Sequence, residues 1–360
     1  MKKQKRFYLA FVTILIFILS GCTTNTDTAD SCATMKVHYI DTGESDSILI
    51  ESDHHYMLID AGDVDDVDTV VNYLNTQKVK KLDYLILTHP HADHIGAASE
   101  VVNTFTVGKI IMPSKANTTK VFETLLDTIA SNNLKITKPV VGNSYTLGNA
   151  TFTLLAPNST TYGSNLNNHS ISLRLVNGNN SFLFIGDCEA EAISDILENK
   201  QALDSDVLLC GHHGSKTSTT AELLDAVTPT YAVISVGNNS YGHPSDSTLS
   251  LLKKNKITTY RTDESGTIIA TSTGSKITFT AKASDLSETA STSATKASTT
   301  TKTDTNDDSS NESNVVYITD TGSKYHKHGC RHLDSSNTKT TIEKAKKAGY
   351  EPCKTCKPAS

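Results

Sequence analysis

Directly after the apolar segment Tyr84-Leu85-Ile86-Leu87 comes Thr88-His89-Pro90-His91-Ala92-Asp93-His94, which places four metal-ligand side chains within six residues. The apolar run reads as a buried strand, and the change to Pro, His and Asp ends it, so the four groups share one short loop at a strand end. Imidazole and carboxylate are the ligand types that hold zinc, manganese or iron. The alternation H-x-H-x-D-H lets neighbouring side chains of that loop serve two adjacent ions. A single loop histidine is ordinarily just solvated; three at this spacing point to metal.

Two cations need a further carboxylate to bridge them and share their charge. Asp187 closes the apolar strand Phe182-Leu183-Phe184-Ile185 and is placed for that role, the competing one being the cap of a helix over residues 189–197. His212 and His213 end another apolar strand, so at least one should enter the same cleft. Beyond them, Gly214-Ser215-Lys216-Thr217-Ser218 offers a cation and three hydroxyls. Ser215, Lys216 and Thr217 read as a phosphate cradle in which Lys216 stabilises developing charge, with a plain surface turn as the alternative. His243, in Tyr241-Gly242-His243-Pro244, reads as a general acid or phosphate contact, or as loop packing. Asp93 is suited to orient a water as well as to bind metal.

The 360 residues, 37% hydrophobic and without Trp, suffice for one medium domain with smaller pieces, and the net charge of -6 excludes a basic nucleic-acid wrapper overall. Residues 1–22 read as an export signal: Lys2, Lys3, Lys5 and Arg6 precede an apolar run that ends at Leu19-Ser20-Gly21-Cys22. That ending resembles a bacterial lipobox, which implies lipidation at Cys22 and an extracytoplasmic, membrane-anchored mature protein; an uncleaved anchor is the alternative. Residues 23–34 read as a flexible tether.

Residues 35–283 have the pattern of one α/β domain. Strands are expected at 36–40, 47–50, 56–59, 82–87, 109–112, 151–155, 171–176, 182–185, 207–209, 231–236 and 266–270, with helices at 67–74, 121–129, 221–226 and 248–254. Residues 284–314 are Ser, Thr, Asp and Lys without apolar periodicity, and read as a disordered linker. Residues 315–360 regain aliphatic and aromatic residues and carry three of the seven cysteines.

The central segment resembles the metallo-β-lactamase superfamily and, within it, the hydrolase-like domain of ComEC-type DNA-uptake proteins. The resemblance rests on Val37-His38-Tyr39-Ile40-Asp41-Thr42-Gly43 with Asp46-Ser47, on Leu58-Ile59-Asp60-Ala61-Gly62, on the metal loop, on Gly186-Asp187, on His212-His213-Gly214-Ser215-Lys216-Thr217-Ser218, on Tyr241-Gly242-His243-Pro244 and on Arg261-Thr262-Asp263. It implies a four-layer αββα sandwich with two divalent metals, Zn or Mn, at the edge of its sheets. By that resemblance His89 and His91 go to one metal, Asp93, His94 and either His212 or His213 to the other, and Asp187 to both. Many family members add a histidine before the bridging aspartate; here the loop reads Asn165-Leu166-Asn167-Asn168-His169-Ser170, and His169 is left open as a ligand.

The tail pairs His326 and Cys330 with Cys353 and Cys356, one imidazole and three thiolates at the spacing of a closed structural zinc site. It resembles the small zinc-binding domain of the Ada DNA-repair protein, with His326 where that family has a cysteine; His328 and His332 are alternative ligands. The segment carries a net +5, which suits DNA as a partner; no protein partner is inferable. Cys188 and Cys210 read as either a disulfide or two buried thiols, and Cys32 has no evident partner. Together these features imply an exported two-metal phosphodiesterase or nuclease acting on extracellular DNA and related to competence. Alternatives are an esterase of cell-wall phosphodiesters, including phosphorylcholine esters, and a DNA-binding receptor without turnover.

Overall fold

The structure is a computed structural model that describes residues 34–286, 315–319, 323–327, 330, 333 and 337–358. The expected signal segment with Cys22, nearly all of the tether, Cys32, most of the linker over 284–314, His328 and His332 lie outside the described residues.

Two sheets face each other. The first holds β1 (Met35–Tyr39), β2 (Ile48–Ser52), β3 (His55–Ile59), β4 (Lys81–Ile86), β5 (Thr106–Ile111) and β6 (Ile136–Thr137), together with β14 (Ile268–Ser272) and β15 (Ile277–Phe279), in the order β15-β14-β1-β2-β3-β4-β5-β6. The second holds β7 (Ser144–Leu147), β8 (Ala150–Ala156), β9 (Ser172–Asn177), β10 (Asn180–Phe184), β11 (Val207–Leu209), β12 (Tyr231–Ile234) and β13 (Thr258–Arg261), in the order β13-β12-β11-β10-β9-β8-β7. Each sheet is antiparallel on one side and parallel on the other, with the change at β3/β4 in the first and at β10/β11 in the second.

Period-2 alternation explains the layering. Ile48, Ile50, Met57 and Ile59 face Phe182, Phe184, Val207 and Leu209 in the core between the sheets. The residues between them, Leu49 and Leu58, turn to an outer core under α1 (Val67–Thr76), α2 (Ala92–Ile95), α3 (Ala98–Thr104) and α4 (Lys120–Ser131). On the far side Leu183 and Leu208 pack under α5 (Ala190–Glu198), α6 (Ala221–Val227) and α7 (Asp246–Lys254). Strands buried on both faces read as unbroken apolar runs, as Phe182-Leu183-Phe184 does. Truncating Phe184 to Ala in the inter-sheet core would cost about 3–5 kcal/mol. Helix starts are set locally: Thr119, Thr220 and Ser245 each accept a backbone N–H of the first turn, which a hydroxyl at that position does well.

The chain stays packed past residue 283, because Ser284 N–H donates to the Thr259 carbonyl and Leu286 lies against the second outer core. After the linker, β16 (Val315–Thr319) pairs antiparallel with β18 (Asn337–Thr341), β17 (Lys324–Tyr325) pairs parallel with β19 (Glu351–Pro352), and α9 (Ile342–Lys347) follows β18. Val316, Ile318, Tyr325, Ile342, Ala345 and Tyr350 join the outer core under α1 to α4. The small module is therefore seated on the sandwich.

Candidate active site

The site lies beyond the carboxyl ends of parallel strands, where open α/β sheets place ligands. Asp60 follows β3, the Thr88–His94 stretch follows β4, Asp187 follows β10, and His212 and His213 follow β11. Backbone geometry turns several of these groups inward: Asp60, His212 and His213 have φ of 55°, 51° and 52°, left-handed values that cost side-chain-bearing residues about 1–3 kcal/mol each and that cluster at functional sites. Gly211 makes the close approach of β10 and β11 ends feasible. A Cβ there would stand 2.7 Å from the Gly186 carbonyl oxygen, the same oxygen that accepts the His212 N–H at 3.2 Å.

Two sets of ligand atoms meet at one carboxylate. His89 Nε2 is 2.9 Å from His91 Nδ1 and 3.9 Å from Asp187 Oδ2. His94 Nε2 is 3.3 Å from the same Asp187 oxygen and 3.5 Å from Asp93 Oδ2, and His213 Nε2 is 3.4 Å from that Asp93 oxygen. Asp93, His94, Asp187 and His213 offer ligand atoms all within 4.8 Å of one another. Buried polar atoms ordinarily find partners, yet His94 Nε2, His213 Nε2, Asp187 Oδ1 and Asp46 Oδ1 are buried without a hydrogen bond. Imidazole nitrogens and carboxylate oxygens left so, at ion-pair distances but without hydrogen-bond geometry, fit divalent cations.

A supporting layer fixes which nitrogen faces inward. His94 Nδ1 donates to Asp60 Oδ2 at 2.8 Å, and His213 Nδ1 to the Ser235 carbonyl at 3.1 Å; both leave Nε2 for the cleft. His89 Nδ1 lies 3.1 Å from Thr88 Oγ1, which in turn donates to Asp60 Oδ2 at 2.6 Å. Such outer partners orient metal-binding imidazoles.

Charge is concentrated here. Burial, helped by His94 and His91, holds His89 well below the usual histidine range. Burial opposes charge on His94 too, but Asp187, Asp93 and Asp60 outweigh it and push His94 well above that range. His213 is raised to about 10 against burial by the hydrogen bond with Asp93 and by the fields of Asp187 and Asp46. Burial would raise Asp187, but His94 and His212 hold it well below the usual carboxylate range.

The two consecutive histidines separate. His213 joins Asp93 and His94, whereas His212 sits with Nε2 3.7 Å from Asp187 Oδ2 and Nδ1 3.5 Å from Glu189 Oε1. That His212 contact is the main reason why Glu189 is lowered to about 2. Asp187 does not cap the next helix, whose N-cap is Glu189.

The phosphate cradle is corrected, and His169 and His243, whose roles were open, are placed. His169 does not reach the ligand cluster: the turn over Asn167–His169 points Asn167 into the cleft and packs the His169 ring edge-on to Tyr162, 5.3 Å between centroids, beside the Gly163 backbone. Ser215 and Thr217 spend their hydroxyls on each other at 3.0 Å, and the exposed Lys216, like both of them, is not part of the cleft lining. A phosphate cradle there is not formed. His243 does line the cleft of about 840 Å³, with Nδ1 3.1 Å from Glu44 Oε1.

The sequence pattern assigns no role to Asp46 or Asp60 and does not mark Glu44. A lone Asp ending an apolar strand, as Asp60 does in Leu58-Ile59-Asp60, is the signal that was present.

In the tail, His326, Cys330, Cys353 and Cys356 bring one ligand atom each within 4.8 Å of the others, with His326 Nδ1 3.3 Å from Cys330 Sγ and 3.9 Å from Cys356 Sγ. Burial raises the Cys353 thiol, but the backbone N–H groups of Cys356 and Thr355 outweigh it and bring it down to about 7, near thiolate and metal-binding character. Cys188 and Cys210 are free and buried, and burial lifts both to about 12, so they are inert thiols.

Residues 40–238 match the family profile described as the metallo-beta-lactamase superfamily. The chain is 31% identical over 252 residues to ComE operon protein 3 of Bacillus subtilis (strain 168), covering 65% of this chain and 32% of that protein. It is 30% identical over 231 residues to competence protein ComA of Neisseria gonorrhoeae, covering 63% of this chain and 31% of that one. The chain thus spans about a third of the length of these relatives. Among solved structures, the metallo-β-lactamase fold protein YhfI from Bacillus subtilis aligns with a TM-score of 0.47 at 14% identity, over 67% of this chain and 100% of that one.

Proposed function

The chain belongs to the metallo-β-lactamase superfamily, and from that premise we propose that it is a two-metal phosphodiesterase acting on nucleic acid. The observation that carries the reading is Asp187: its Oδ2 lies 3.3 Å from His94 of one ligand set and 3.9 Å from His89 of the other, as a carboxylate shared by two neighbouring sets does. His89 and His91 with Asp187 would hold one cation; Asp93, His94 and His213 with Asp187 would hold the other. When bound, two such ions, zinc or manganese, supply Lewis acidity and a nucleophile at neutral pH, the combination suited to in-line displacement at phosphorus.

The chain's own groups do the rest. Asp93, through its cleft-facing carboxylate, would orient the attacking water. His243, steadied at Nδ1 by Glu44, offers Nε2 to the leaving oxygen. The apolar strand ends beneath the site keep bulk water from the ligands.

The names of these relatives tie them to competence; for this chain we propose the hydrolytic step alone. Cys22 is proposed as a lipid anchor that holds the domain outside the cytoplasmic membrane; among the described residues no helix is long and apolar enough to cross one. The tail cluster is proposed to hold one structural zinc.

The test is turnover by the metal-depleted chain reloaded with Mn or Zn, on single- and double-stranded DNA and on choline-bearing phosphodiesters. Cleavage of DNA, lost together with metal in Asp187→Ala, is expected. Cleavage of only the choline esters would transfer the reading to cell-wall polymers, and a fully metallated chain that cleaves no phosphodiester would end it.

A further inference from the structure

Tyr317 and Lys339 belong to the C-terminal module, yet both line the cleft that contains His91, Asp93, Asp187 and His213. They are directly opposed across the β16/β18 ladder. Alternation along β16 puts them there: Val316 and Ile318, on either side of Tyr317, are buried to 1% exposure in the outer core, so Tyr317 takes the other face. The seat is specific. The Thr340 hydroxyl donates to the Asp65 carboxylate, and Lys344 Nζ donates to the Asp65 carbonyl at 2.9 Å, while Asp65 itself lines the cleft. The backbone of Tyr317 exchanges two hydrogen bonds with His326, at 2.8 and 2.7 Å, which ties this wall to the tail's cysteine cluster.

Charge gives the wall its meaning. Glu44, Asp63, Asp65, Asp66, Asp93 and Asp187 line the cleft, and Lys339 is the one Lys or Arg among the described residues that do so. Lys339 forms no ion pair among the described residues, in contrast to Lys344 beside Asp65. A polyanion approaching the cleft meets six carboxylates, and Lys339 is the one Lys or Arg side chain among the described lining residues that would offset them. Tyr317 beside it, and Tyr241 with 51% exposure on the catalytic domain's loop, are flat aromatic faces in the same cleft, and unpaired bases stack on such faces.

We propose that the C-terminal module is a wall of the active site, and that Lys339 takes a backbone phosphate while Tyr317 stacks an unpaired base beside the reacting diester. The substrate is then a single-stranded nucleic acid held by both domains. This deepens the phosphodiesterase reading and rests on it for the chemistry, though not for the binding.

The full chain tests it in the variants Lys339→Gln, Lys339→Arg and Tyr317→Leu, with two probes. A fluorescent phosphorothioate single strand of about 12 nucleotides, within the usual range of strand-binding sites, reports binding by anisotropy and resists cleavage. Bis(p-nitrophenyl) phosphate reports hydrolysis of a diester that carries neither a neighbouring phosphate nor a base. Lys339→Gln and Tyr317→Leu should each weaken strand binding roughly tenfold, Lys339→Arg should restore it, and the salt dependence in Lys339→Gln should shallow by about one phosphate contact. Hydrolysis of the small diester should fall by less than strand binding does in Lys339→Gln and Tyr317→Leu. Unchanged strand binding in Lys339→Gln, absence of strand binding by the wild type, or an equal loss on the small diester would overturn the inference. A wild type that binds the strand through both residues yet cleaves neither a natural strand nor the small diester would uphold the wall and remove the hydrolase reading instead.

Discussion

His94 Nδ1 lies 2.8 Å from Asp60 Oδ2, with both side chains sealed from solvent. The same carboxylate accepts the Thr88 N–H at 2.7 Å and the Thr88 hydroxyl at 2.6 Å, so one aspartate fixes both the start of the metal loop and the direction of an imidazole. Its removal should leave the ligand in place but untethered. Asp60→Asn should lower metal affinity about 10- to 100-fold, the usual cost of losing such an outer partner. Competition with a chromogenic chelator measures this, and wild-type affinity in Asp60→Asn would show that His94 needs no such orientation.

His94 and His213 carry protons in the metal-free chain at neutral pH, because the surrounding carboxylates raise the first well above 6.5 and the second to about 10. Cations require neutral imidazoles, so loading the site should expel roughly two protons near pH 7. Calorimetry in buffers of different ionisation enthalpy reads that number directly. The sign for stability follows from linkage: a raised folded value favours the fold fully below 6.5, and that contribution disappears as pH climbs through about 10 for His213. Metal-free protein should therefore soften between pH 6.5 and 10, whereas metal-loaded protein should not. Equal denaturant midpoints for the two forms across that range would refute the assignment.

The strands that apolar runs identified are those with a neighbour on each side. Within the sandwich, the four left unread, β6, β7, β13 and β15, are the four edges of its two sheets. Edge strands are short and partly solvated, as in Thr258-Thr259-Tyr260-Arg261, so they carry little hydrophobic pattern. The grouping of Asp93, His94, Asp187 and His213 was legible because such residues sit at strand ends with characteristic spacing. The separation of His212 from His213 was not, since two adjacent left-handed residues decide it. Nor was the place of Lys339 in the cleft, because that depends on a second module seated through Val316 and Ile318, a contact between segments far apart in sequence.

His38 is buried against Tyr73, whose hydroxyl is 2.8 Å from Nδ1, and burial lowers it from 6.5 to about 4. A lowered folded value favours the fold above 6.5 and loses that contribution as pH falls toward 4, where the unfolded chain takes the proton first. At full extent this amounts to about 3 kcal/mol. The advantage of wild type over His38→Gln in urea unfolding should shrink across pH 6.5 to 4, and a difference that stays flat with pH would show that His38 titrates alike in both states.

Cys353 is drawn down to about 7 in a cluster with His326, Cys330 and Cys356, and metal-binding energy at that cluster would be folding energy for the module. Cys353→Ser should therefore lose one metal per chain while the ions at Asp187 remain. Because Val316, Ile318 and Tyr325 lend their apolar faces to the outer core of the sandwich, the loss should be felt beyond the tail: backbone amides of β16 and of α9 should exchange faster, and those of β10 should not. Metal content by mass spectrometry and hydrogen exchange on the intact chain distinguish the outcomes. An unchanged metal count in Cys353→Ser would remove the tail site. A lost metal with undisturbed β16 would show that apolar docking alone holds the wall of the cleft.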